Sequence, residues 1–155
     1  MCLQVFVASD EPLPLISYGP DSPVFQTELL DEQSLPVVQY FSKPYVYYLS
    51  SVGGCPCGFG YGLYELEILD DPDIPAEIKA NVQEGYNASR SSVQAMKAYL
   101  RMAIQTGEAE VYACWIGDEE ITPETRCEVT LDHFGGEEFQ LVERQILTVT
   151  RAADE

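Results

Sequence analysis

One stretch of the chain carries a sustained helical period, and short strand-like runs surround it. In "NASRSSVQAMKAYLRMAIQTG" (87–107), Val93, Met96, Leu100, Ala103 and Ile104 recur at helical spacing on one stripe. Asn87 or Ser89 offers an N-cap and Gly107 a stop. Such a stripe must be buried, and the flanking segments supply the surface. "CLQVFVAS" (2–9), "PYVYYLSS" (44–51) and "AEVYACWIG" (109–117) are apolar runs of strand length, rich in Val, Tyr and Phe. "YGLYELEILDD" (61–71) and "CEVTL" (127–131) alternate apolar and polar residues with the two-residue period of a sheet. "EFQLVERQILTVTR" (138–151) reads as a long strand interrupted near Glu143.

These elements predict an α+β fold with a mostly antiparallel or mixed sheet of five to six strands and one long amphipathic helix packed on one face. A further helical turn is expected in "DIPAEIKANVQEG" (73–85), where Pro75 suits an opening turn. The proline-rich segment 10–44 has little periodicity and is expected to wrap the body irregularly. With 155 residues the chain can bury a core without metal or disulfide staples, and it reads as a single domain over 1–155.

Charge narrows the function. The 26 acidic residues face 8 basic ones, a net charge of −18, which repels phosphate backbones and anionic membranes. Neither nucleic acid nor a membrane is therefore an expected partner, whereas another protein or a small anionic ligand is. No apolar run reaches the roughly 18–20 residues that span a bilayer. Five cysteines without an export signal read as reduced thiols in the cytoplasm.

Chemistry, if present, centres on "SVGGCPCGFGYG" (51–62). The glycines do not form a phosphate loop, because no Gly-Lys-Ser/Thr ending and no spaced final glycine follow. Cys55 and Cys57 flank Pro56 as half of a metal knuckle, but zinc normally needs a second such pair, and Cys2, Cys114, Cys127 and His133 are scattered. A reactive thiol would need a base, and His133, with Asp132 or Glu137 beside it, is the one histidine. The opening "MC" resembles, over two residues, the start of glutamine amidotransferase domains among N-terminal nucleophile hydrolases, in which Cys2 would carry both thiol and free amine. Those enzymes stack sheets between helical layers, whereas one clear helix is visible here. The acidic run at Asp70, Asp71, Asp73 and Glu77 lacks the alternation and central glycine of a calcium loop and reads as solvated.

The helix itself is unusual in this acidic chain, because it carries Arg90, Lys97 and Arg101 and no acidic residue. At about 100° per residue the three fall within roughly 40° of one another, forming a basic stripe that either pairs internally or faces a partner. The sequence thus predicts a non-catalytic binding domain without a cofactor. A thiol or zinc site at Cys55 and Cys57 is the alternative.

Overall fold

A computed structural model describes residues 2–17, 19–20, 25–51, 56–59, 63–136 and 139–152. Its elements are β1 (Leu3–Ser9), β2 (Gln26–Leu29), a 3₁₀ helix (Leu35–Tyr40), β3 (Tyr45–Ser50), a 3₁₀ turn (Pro56–Phe59), α1 (Leu63–Asp70), α2 (Ala76–Ala103), β4 (Ala109–Trp115), β5 (Thr125–Thr130) and β6 (Gln145–Thr150). The six strands form one sheet in the order β2-β3-β1-β4-β6-β5. Every pairing is antiparallel except β5 with β6. This is the α+β architecture that the sequence predicts.

The register explains why the central strands read as continuous apolar runs. Val5 stands opposite Leu49 and Ala113, while its neighbour Phe6 stands opposite Tyr48 and Tyr112. Alternate residues point to opposite sides of a sheet, so a strand covered on both sides must be apolar throughout. On one side Val5, Val7, Leu49, Val111, Ala113 and Val149 pack against Val93, Met96, Leu100 and Ala103 of α2. The other side is a smaller cluster of Phe6, Tyr112, Cys114 and Ile146 under Val37 and Tyr40 of the 3₁₀ helix.

Four sequence expectations are corrected. Residues 63–70 form α1, not a strand. The window is short enough to satisfy either period, its Leu and Glu residues are good helix formers, and α1 packs along α2. The strand it would have supplied is β2, from the segment expected to be wholly irregular. The long helix begins at Ala76, with Pro75 in the N-cap position, so the expected turn at 73–85 fuses with it. Asn87 and Ser89 are interior, and the carbonyls of Asn87 and Ala88 accept bonds from the Ser91 and Ser92 hydroxyls. The helix stops before Gly107, where Arg151 Nε donates to Ile104 O at 2.9 Å and Nη2 to Gln105 O. Basic side chains at a helix C-terminus suit its free carbonyls. Strand β6 starts only at Gln145, because Arg144 has φ 55° and donates its N–H across to Ala113 O at 2.7 Å. Among the described residues no helix is long and apolar enough to cross a membrane.

Candidate functional site

The residues singled out in the sequence separate in space. Cys55 lies outside the described residues, and Cys57 is placed by its backbone alone, in the turn Pro56–Phe59. That turn is anchored by Phe59, which is buried against Phe25 with ring centroids 6.3 Å apart. Cys2 precedes β1, and its carbonyl accepts from Ile116 N–H at 3.1 Å, just beyond the C-terminal end of β4. His133 is exposed and its Nδ1 lies 2.7 Å from Thr130 Oγ1, at the end of the sheet where Ala109 begins β4. Seven residues of β4 separate these levels, roughly 20 Å at about 3.3 Å per residue, so Cys2 and His133 do not meet. Among the described residues no three of His, Cys, Asp and Glu gather to hold a metal ion. Burial, followed by the charges of Glu119 and Asp118, pushes the Cys114 thiol up to about 12. It is a buried core residue that holds its proton at neutral pH.

Two members of the basic stripe are bound by backbone. Arg90 donates to the carbonyls of Gly136 (3.1 Å) and Gly135 (2.5 Å), and Lys97 Nζ to Asp132 O at 3.2 Å. They clamp the β5–β6 connection onto α2. Gly135 makes the close approach possible: its φ is +75°, and a Cβ there would stand 2.9 Å from Val93 Cγ1. Arg101, in the last turn of α2, is exposed. Arg90 and Lys97 thus bond within the chain, to backbone carbonyls of the β5–β6 connection.

The side of the sheet under the 3₁₀ helix carries what sequence reasoning missed. Glu110 is almost wholly buried. Its carboxylate accepts from Ser42 N–H (2.8 Å) and Ser42 Oγ (2.6 Å) and lies 3.8 Å from Arg126 Nη1. Arg126 Nη2 also donates to Tyr40 O at 2.6 Å, which fastens edge strand β5 to the chain after the 3₁₀ helix. A charged residue inside the apolar run "AEVYACW" was the available signal. The rings of Tyr40 and Tyr112 lie nearby, 5.9 Å apart and tilted by 58°, and neither buried hydroxyl has a partner among the described residues. Burial first, then neighbouring negative charge, raises both phenols above their ordinary range.

At the end of the 3₁₀ helix a cavity of about 410 Å³ is lined by Gln39, Tyr40, Thr122, Glu124, Thr125 and Arg126, among others. It opens beside β5, whose outer edge pairs with no strand among the described residues. Thr125 N–H donates to Arg144 O and Leu131 N–H to Thr150 O, so the odd-numbered residues face β6. In a parallel pair each residue sends its N–H and C=O to the same side, and those of Arg126 and Glu128 therefore point outward, without a partner among the described residues. The opposite edge is covered: Thr27 of β2 donates its N–H to Ile16 O at 2.9 Å and accepts at Oγ1 from Ile16 N–H at 2.8 Å. No family model, no curated protein and no solved structure matches the chain.

Proposed function

We propose that this chain is a non-catalytic binding domain that takes an extended, basic polypeptide segment as an added strand beside β5. The observation that carries this reading is the outward pair of backbone groups on Arg126 and on Glu128. An extended chain can satisfy them in the manner of β-augmentation. Six residues give an edge of about 20 Å. Four backbone bonds at roughly 0.5–1.5 kcal/mol each leave little after the cost of association, so a side chain must contribute as well. The cavity at the start of β5 is the place for it. The net charge of −18 selects a basic partner and raises its encounter rate, and it disfavours self-pairing of the same edge.

The test is selection of octapeptides from a random display library against the full chain. Recovered sequences should be enriched in Lys, Arg and β-branched residues. A selected peptide should protect the Arg126 and Glu128 amides from exchange and lose at least about tenfold in affinity for Glu128→Pro, which removes an outward N–H but no bond to β6. Equal binding to Glu128→Pro, with no protection at these amides, refutes the edge. Serine at both Cys55 and Cys57 should leave binding unchanged. The alternative thiol or zinc function requires instead a loss of metal, reactivity or fold.

A further inference from the structure

The 3₁₀ helix lies between two openings. The cavity beside β5 adjoins its C-terminal residues Gln39 and Tyr40. A second groove, of about 230 Å³, adjoins Gln33 and Ser34 at its start and is lined by Gln4, Glu28, Leu29, Asp31, Tyr48 and Ile116 as well. A six-residue 3₁₀ helix rises about 12 Å, so the two openings are separate sites.

From this second groove we infer a binding site for a cationic side chain on an aliphatic stem, a lysine or arginine of a partner polypeptide. Two apolar side chains of its lining stand unusually open, Leu29 68 % and Ile116 43 % exposed. Its rim carries two carboxylates, each keeping an oxygen in reserve. Asp31 Oδ1 accepts from Ser34 N–H at 2.9 Å and Glu28 Oε1 from Gln26, and the second oxygens have no partner among the described residues. Gln33 extends the acidic surface inward by donating to the buried Glu119 at 3.3 Å. The lining contains Gln4, only 6 % exposed, whose side chain makes one long contact, from Cys114 Sγ to Oε1 at 4.0 Å. An amide oxygen has two lone pairs, so Gln4 Oε1 can accept a second bond, which an entering ammonium or guanidinium group would donate.

The protein provides no cation of its own here. Lys43, Arg126 and Arg144 pair with Asp10, Glu110 and Glu124. Arg90, Lys97 and Arg151 are held by carbonyls. Lys79 and Arg101 lie on α2, and no Lys or Arg lines the groove. Long basic side chains lay their methylenes on apolar surface and keep the charged head among polar groups, which is the division that Leu29 and Ile116 make with Glu28 and Asp31. The inference is independent of docking at β5.

Amide spectra of the full chain at low salt, titrated with N-acetyl-lysine methylamide, its arginine analogue and the neutral norleucine analogue, provide the test. The cationic probes should give saturable shifts at Gln4, Leu29, Gln33 and Ile116 and bind about tenfold more tightly than norleucine. The pair Glu28→Gln and Asp31→Asn should remove that preference, and Leu29→Ser should weaken all three probes. Glu128→Pro and the distant pair Asp70→Asn and Asp73→Asn should change nothing. Equal binding of norleucine overturns the inference. So do shifts spread over the whole acidic surface, equal weakening by the distant pair, or calcium occupying the groove more tightly than either cationic probe.

Discussion

The two sides of the sheet are built from the same strands and differ in almost every physical respect. Toward α2 the strands present Val5, Val7, Leu49, Val111, Ala113 and Val149, and the 28-residue helix covers them with aliphatic side chains. One residue along, the same strands present Gln4, Phe6, Glu110, Tyr112 and Cys114 to a 3₁₀ helix of six residues. The short 3₁₀ helix leaves a groove at each of its ends. The thinly covered side holds the buried ion pair, the Glu110 carboxylate with its Ser42 and Arg126 partners, and two tyrosine hydroxyls without partners among the described residues, while the buried polar side chains of α2 itself, Ser89 and Ser92, are small hydroxyls. One side carries the larger apolar cluster, and the other carries the grooves on which the proposed binding rests.

The sharpest way to break this contrast is to excavate the helix side. Leu100→Ala, at a fully buried position, should cost about 2–5 kcal/mol by lost transfer energy and the cavity left behind. The denaturant midpoint should fall accordingly, without effect on either groove's ligands until the chain unfolds. A loss below about 1 kcal/mol would mean that the helix is not the main source of stability.

A smaller effect is expected from pH. Cys114 keeps its proton in the folded chain from the ordinary 9.0 up to about 12, and Tyr99, buried chiefly by its position in the core, from 10.0 up to about 12. Their folded values are raised, so their contribution is intact below pH 9. It declines as the unfolded chain loses protons that the folded chain retains, by up to about 1.4 kcal/mol per pH unit for each group. Stability measured by denaturant at about pH 8 and about pH 10.5 should therefore fall, and Cys114→Ala should reduce the fall. An identical decline in the variant would show that Cys114 pays no desolvation cost on ionising.

The smallest effect sharpens the comparison from the other side. Tyr112→Phe deletes a buried hydroxyl that has no partner among the described residues and keeps the ring stacked on Phe6 and tilted against Tyr40. Stability should stay level or rise by up to about 1 kcal/mol, because a desolvated donor is removed. A loss greater than about 1 kcal/mol would reveal a hydrogen bond to ordered water or to a residue outside those described.

Much of the fold was legible. The apolar runs at β1, β3 and β4 and the alternation at β5 are strands, and Val93, Met96, Leu100, Ala103 and Ile104 are all buried. The failures have local causes. In residues 63–70 a brief alternation masked a composition suited to a helix. Asn87 and Ser89 resemble caps, yet Pro75 opens the helix three turns earlier. The site was less legible. Cys2 and His133 proved to be at opposite ends of the sheet, and Arg90 and Lys97 were drawn to the carbonyls of a connection some 40 residues away in sequence. Glu110 drew no attention in the apolar run that contains it, and Glu28 and Asp31 stand out only once Leu29 and Ile116 flank them.

By itself the sequence determined the periodic elements and the acidic balance, because side-chain spacing, backbone sterics and formal charge are properties of the chain. Tertiary structure alone decided which strand edge stays open, where six of the eight basic residues find partners and which carboxylates face a groove without a cation. Those outcomes depend on pairings between strands and loops far apart in sequence. A hydrogen-bond donor or a charge chooses among all the acceptors that folding brings near it, and no local pattern records that choice.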